Sequence, residues 1–243
     1  MGFLGGLFEK KNCDVCGNKI GLLGNRKLED GNLCKTCARK LSPFFSERRH
    51  STVEEIKEQL AYREANKEKV AAFHPTRTFN CREYLILDED KRQLIVTNYK
   101  NWKDENPDVI DFGDVTGCDL DVNESRRELY HKNAEGKNVS YEPKRYEYSY
   151  DFNMTIAVNS PYFSEIPLRI NDSEIKYRAG VEYHRAELEA MEIRDLLLGI
   201  RSDERRAAEQ AAAPKKKVVC PYCGATTTPD EKGCCEYCGA PVA

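Results

Sequence analysis

At 243 residues the chain is long enough for one main core with appendages and too short for more than two or three domains. Its formal charge of −3 falls to about −7 once eight thiolates and two dications are counted, which excludes a polyanion binder acting through overall charge. No apolar run approaches the roughly 20 residues that span a bilayer. With no secretory leader, and with eight of the eleven cysteines in four C-x-x-C pairs, metal binding in a reducing, cytoplasmic compartment is expected in place of a disulfide framework.

In chain order, Met1-Gly-Phe-Leu-Gly-Gly-Leu-Phe8 precedes Lys10-Lys11, so residues 1–11 offer apolar side chains for weak peripheral membrane contact. Gly6 stands where a myristoylation signal needs Ser or Thr. The first zinc module occupies residues 1–50. Cys13-Asp-Val-Cys16-Gly17 is a knuckle whose glycine permits the tight turn that aims backbone N–H groups at sulfur. Seventeen residues on comes Cys34-Lys-Thr-Cys37, within the usual window for one tetrahedral site. Between the pairs, Ile20, Leu22 and Leu23, then Leu28 and Leu33, flank Gly24-Asn25 and Asp30-Gly31, the turns of a small hairpin. Ala38 to Leu41 reads as the first turns of a helix stopped by Pro43. This order is that of a treble-clef or LIM-like finger.

A connector helix is predicted over residues 51–75. Ser51-Thr-Val-Glu54 has the spacing of a capping box, and Val53, Ile56, Leu60, Val70 and Phe73 supply an apolar stripe on an otherwise charged, solvated helix. A β domain with a C-terminal helix is predicted over residues 76–213. Tyr84–Leu87 and Leu94–Val96 form a hairpin, with strands around Val109–Phe112, Thr116–Val122 and Ile166–Ile170. The clearest strand has Tyr146, Tyr148, Tyr150, Phe152, Met154, Ile156 and Val158 on one face. In the strand near Thr116, the side chains of Thr116, Cys118, Leu120 and Val122 are expected to face inward. Leu188, Met191, Leu196 and Ile200 form the expected stripe of the last helix.

Residues 214–243 are a linker, Pro214-Lys-Lys-Lys217, and a second zinc module. Cys220-Pro-Tyr-Cys223-Gly224 and Cys235-Glu-Tyr-Cys238-Gly239 are two near-identical knuckles, the pattern of a zinc ribbon, with Cys234 an alternative to Cys235 as ligand. The predicted ligands of two structural Zn2+ ions are therefore Cys13, Cys16, Cys34 and Cys37, and Cys220, Cys223, Cys235 and Cys238.

The element order of the middle resembles a bacterial pleckstrin-homology or GRAM-like domain, with the segment from Val109 through Asp121 similar to its mid-barrel strand pair. The resemblance implies an α+β fold with a pleckstrin-homology-like β-barrel core and long helices, flanked by two small zinc-binding modules. The opening resembles an uncharacterised bacterial family, a domain of unknown function, on Cys13-x-x-Cys16-Gly17, on Gly21 through Cys34 and on Leu41 through Glu54. That resemblance implies a bacterial cytosolic zinc protein and brings no known activity.

Four cysteines close a zinc coordination shell, whereas a catalytic zinc needs an open position. Redox C-x-x-C chemistry uses a single pair. Cys81 and Cys118 lie in strand-like segments and read as small core residues, and His50, His74, His131 and His184 are scattered. Asp119-x-Asp121-x-Asn123 begins like a calcium loop but has Glu124 at the sixth position and Tyr130 at the twelfth. The expectation is a non-enzymatic adaptor that presents its modules to a protein partner near a membrane. The alternative is a nucleic-acid-binding regulator using Arg48-Arg49, Lys215, Lys216 and Lys217 for charge and Tyr222 and Tyr237 for stacking. A third reading, an enzyme using Cys81 or Cys118, requires a thiol of depressed pKa.

Overall fold

The computed structural model describes residues 11–212, 217–230 and 233–242. The apolar opening, residues 1–10, and the linker lysines Lys215 and Lys216 lie outside the described residues. The chain divides into two compact units, Met1–Arg201 and Ser202–Ala243.

The first unit opens with a short antiparallel hairpin, β1 (Arg26–Lys27) and β2 (Asn32–Leu33), followed by the single-turn helix α1 (Lys35–Ala38). Leu28, Leu33, Leu41 and Ile56 form a small core around three of the first four cysteines. Such a core is too small to offset the entropy of ordering these loops on its own. Leu22 and Leu23, expected to flank the hairpin, stand out in solvent at 82 % and 89 % exposure.

Helix α2 (Val53–Ala72) starts one residue later than Ser51–Glu54 predicts. Thr52 is the N-cap: its hydroxyl accepts from the Glu55 N–H at 3.3 Å, and the Glu55 carboxylate accepts from the Thr52 N–H at 2.7 Å. Ser51 is not free to cap because it is buried and donates to the Glu47 carbonyl. The buried stripe of α2 is apolar only at its ends. Ile56 and Val70 enclose Gln59, Arg63 and Asn66, all buried. The helix docks by one stripe whose middle is polar: Arg63 and Asn66 bond to the Asn106–Val109 loop and to Lys40, tying finger to sheet.

An antiparallel four-stranded sheet follows, in the order β3 (Arg77–Asn80), β4 (Tyr84–Asp88), β5 (Gln93–Thr97) and β6 (Ile110–Asp111). Its central strands read as continuous apolar runs because both faces are covered. Leu85, Leu87, Leu94 and Val96 join the main core, while Ile86 and Ile95 pack with Val70, Phe73, Trp102 and Val109. A second sheet is built from β7 (Val115–Glu128), β10 (Tyr146–Val158) and β11 (Glu165–Arg169), in the order β11-β10-β7. Between β7 and β10 sits a separate hairpin, β8 (Tyr130–Lys132) with β9 (Asn138–Ser140), which the period-two pattern did not reveal.

Helix and sheet are mixed as expected, but the strand pairing closes no barrel. β6 has only two residues and pairs with β5, and a 3-10 turn over Phe112–Asp114 carries the chain away before β7 begins. Two inward assignments on β7 also fail. A bulge sets Ala157 opposite Gly117 and Val158 opposite Val115, so Thr116 is the extra residue and turns outward. Val122 is 37 % exposed although its partner on β10, Phe152, is fully buried in the main core.

Helix α3 (Val181–Ala212) buries Tyr183, Ala186, Ala190, Ile193, Leu197 and Ile200 in the main core. The stripe expected from Leu188, Met191, Leu196 and Ile200 is misphased: Leu188 is 68 % exposed. The contact face steps alternately three and four residues from Tyr183 to Ile200 and includes Ala186 and Ala190, whose small side chains let the helix approach closely. The second unit contains the end of α3 and the short hairpin β12 (Val218–Val219) with β13 (Thr226–Thr227).

Candidate metal centres

Three of the four C-x-x-C pairs adopt one backbone design. In the first, the Gly17 N–H donates to the Cys13 carbonyl at 2.8 Å while Gly17 has φ +73°. The knuckles at Cys220 and Cys235 repeat it, with Gly224 at φ +70° and Gly239 at φ +71°, each donating back to the first cysteine. A side chain at that left-handed position would be strained, which is why glycine ends all three. The fourth pair uses a helix start. Cys34 is the N-cap of α1, and its Sγ accepts from the Cys37 N–H at 3.4 Å.

These turns converge the sulfurs. Cys13, Cys16, Cys34 and Cys37 place their Sγ atoms within 4.8 Å of one another, and so do Cys220, Cys223, Cys235 and Cys238. The Cys16–Cys34, Cys220–Cys238 and Cys223–Cys235 Sγ separations are 3.7, 3.6 and 3.8 Å. Tetrahedral zinc with Zn–S bonds of about 2.3 Å sets its sulfurs about 3.8 Å apart. A disulfide requires about 2.05 Å, and none of these cysteines is bridged. Each group can therefore hold one metal ion of zinc's size and softness. Cys235, not Cys234, joins the second group. Cys234 lies in a β-bridge with Pro241, and its N–H donates to Asp230.

Backbone polarity prepares the sulfurs to bind as thiolates. Burial opposes ionisation of Cys13, but the N–H groups of Cys16, Cys34 and Val15 outweigh it and hold the pKa down at about 7. Cys34 and Cys220 are lowered chiefly by the N–H groups of Cys37 and Cys223. Cys37 is pushed up by burial and by the neighbouring thiols of Cys16 and Cys34, as expected where negative sulfurs crowd without a cation. Asp14 is a supporting residue that spacing alone did not reveal. Its carboxylate accepts from the Asn32 N–H at 2.6 Å and its own N–H donates to the Asn32 carbonyl, fastening knuckle to hairpin. In the second group Thr227 plays the same part, accepting from the Glu236 N–H at 3.2 Å.

The remaining candidates do not converge. Among the described residues no third group of His, Cys, Asp or Glu gathers around a common point. Asp119, Asp121 and Asn123 lie along one exposed edge of β7, opposite Thr155, Asn153 and Asp151, and form no loop. Cys81 and Cys118 are buried, which pushes their thiols up to about 12 and about 11, with nearby Glu189 and Glu83 adding for Cys81 and Asp119 for Cys118. Both stay protonated at neutral pH, the opposite of an activated nucleophile.

A search of curated proteins and a search of solved structures each returned no match. Residues 11–59, which hold Cys13, Cys16, Cys34 and Cys37 together with the first turns of α2, match a domain of unknown function, DUF4428.

Proposed function

We propose that the protein is a non-catalytic adaptor whose two zinc ions, one in each cysteine group, are structural, and which presents its finger, its β core and its C-terminal ribbon to a protein partner at a membrane surface. The observation that carries this reading is the composition of the two shells: four sulfurs each, with no histidine, carboxylate or open corner for substrate. Unbridged cysteines throughout favour a reducing, cytoplasmic setting. Support for a pleckstrin-like core comes from a four-stranded and a three-stranded sheet enclosing one core with a closing helix, α3. That is likeness of architecture and lends no activity by itself.

Metal analysis of purified, reduced protein tests the premise, with about two zinc ions per chain expected. Zinc-free native protein, or a site spectroscopically shown to carry a water ligand, overturns it. A second reading, nucleic-acid binding through the zinc modules, is favoured by Tyr222 and Tyr237. They occupy equivalent knuckle positions in the second unit and are both 71 % exposed, and Lys217, also exposed, precedes the first knuckle in the chain. It requires retention on immobilised DNA or RNA that weakens steeply with salt and is lost on substituting Lys215, Lys216 and Lys217.

A further inference from the structure

The first finger has a feature that metal binding does not use. Leu22 and Leu23 are consecutive, almost fully exposed, and sit on a tight turn closed by the Gly24 N–H donating to the Gly21 carbonyl at 2.9 Å. Together they form a small aliphatic tip held out in water, whose transfer to an apolar phase is favourable. Immediately behind them, the Arg26 guanidinium donates to the carbonyls of Leu23 and Asn25, which ties a cation to the base of the apolar tip.

Arg26 also lines a groove of about 420 Å³ together with Lys35, Arg39 and Arg48, above a floor that includes Leu41 and Phe45. No carboxylate lines this groove, and among the described residues none pairs with any of the four cations. Arg48 is held in place by donating to the Lys27 carbonyl at 2.7 Å, so its charge is positioned by backbone and not neutralised. Burial first, then the neighbouring charges of Arg49 and Arg26, make the charged form of Arg48 less favourable than usual, the mark of a cluster of like charges without its counter-ion.

We propose that this finger binds anionic membranes, with Leu22 and Leu23 entering the headgroup and acyl boundary and the groove of Arg26, Lys35, Arg39 and Arg48 receiving a lipid phosphate. Apolar insertion and charge attraction are each weak alone, and the two together give stable peripheral binding. The partner is a lipid surface and not a nucleic acid because the exposed tip is aliphatic. Stacking on bases needs aromatic faces, and Phe45 is half-buried in the groove floor. The inference rests on the first cysteine group holding zinc, since that site organises the loop that carries both features.

The test uses the full-length, zinc-loaded protein and sedimentation with vesicles of phosphatidylcholine alone or containing phosphatidylserine or a phosphatidylinositol phosphate. The expected result is selective partition onto the anionic vesicles. Leu22→Ala with Leu23→Ala should reduce it about a hundredfold or more, given the apolar area removed. Lys35→Gln with Arg39→Gln should reduce it roughly 25-fold, at about fivefold per cation. All four side chains are exposed, so zinc content and thermal midpoint should not change.

Equal partition of wild type and both double variants overturns the proposal, including the case in which residues 1–10 carry all the binding. Displacement by inorganic phosphate at the concentration of accessible lipid phosphate also overturns it, showing a free-anion site. So does retention on an oligonucleotide that falls with Lys35→Gln and Arg39→Gln but ignores the leucine pair, with no vesicle binding. Failure of the zinc reading shows separately, as wild-type protein that lacks zinc before any vesicle is added.

Discussion

Arg63 Nη1 lies 2.6 Å from Asp108 Oδ1, and the Asp108 side chain is wholly buried. Forty-five residues separate the pair in sequence. Ser42 donates to the other carboxylate oxygen at 2.8 Å, while Arg63 also bonds to the carbonyls of Lys40 and Asn106. Every charge is met, so one ionic network joins the end of the finger, the middle of α2 and the loop before β6. Removing one partner strands the other in a medium where it cannot be hydrated. Arg63→Met is expected to cost about 3–5 kcal/mol. A matched Arg63→Met, Asp108→Leu variant should recover most of that loss, as read from urea midpoints. Equal stability of Arg63→Met and wild type would show the pair to be dispensable.

The finger should depend on metal in a way the β core does not. Cys37→Ser is expected to reduce bound zinc from about two ions per chain to about one, because a structural site supplies folding free energy that its small core lacks. Heteronuclear spectra should lose dispersion for residues 11–50 while the signals of β4, β5 and β10 persist. Retention of two zinc ions in this variant would refute the assignment of Cys37 as a ligand.

Gly31 turns between β1 and β2 against the start of α2. A β-carbon there would stand 2.5 Å from Val53 Cγ2 and 2.9 Å from Asp14 Oδ2. Gly31→Ala must therefore move both the Val53 side chain at the start of α2 and the carboxylate that holds the knuckle. The expected loss is about 1–3 kcal/mol, accompanied by weaker zinc retention against a chelator. An unchanged chelation rate would mean that the turn yields without disturbing the metal group.

Acid sensitivity follows from Asp88. Its carboxylate is buried, which by itself would raise its pKa, but the N–H groups of His74 and Lys91 donate to it at 2.8 and 3.0 Å and bring the pKa below the ordinary value. A carboxylate with a lowered folded pKa stabilises the fold above its unfolded pKa, and that contribution is lost as pH falls through the folded value. Asp88→Asn should thus be less stable than wild type at pH 7, with the difference narrowing in acid. A gap that widens as pH drops would contradict the sign.

Cys81 and Cys118 should resist alkylation in native, zinc-loaded protein at neutral pH and react only on unfolding, since both are buried thiols with raised pKa. Rapid native labelling of either, followed by mass spectrometry, would restore the case for a reactive cysteine.

Local chemistry was readable from residue order. The C-x-x-C spacing and terminal glycines specify the knuckles because the ligating turn is made within five residues, and alternation exposes β10 because side-chain direction has a strict period of two. Tertiary structure decided what depends on distant partners. Arg63 sits on what the sequence presents as a charged, solvated helix, and only Asp108 makes it a core residue. The buried face of α3 runs through Ala186 and Ala190, which composition ranks below Leu188, because close approach to the sheet favours small side chains. The outward turn of Thr116 follows from a bulge in the pairing with β10. The groove of the finger likewise exists only once a hairpin, a one-turn helix and a 3-10 turn at Glu47–His50 bring Arg26, Lys35, Arg39 and Arg48 to one surface. Nearest-neighbour sequence fixes a turn and its ligands, but burial and charge pairing are properties of surfaces that meet across dozens of residues.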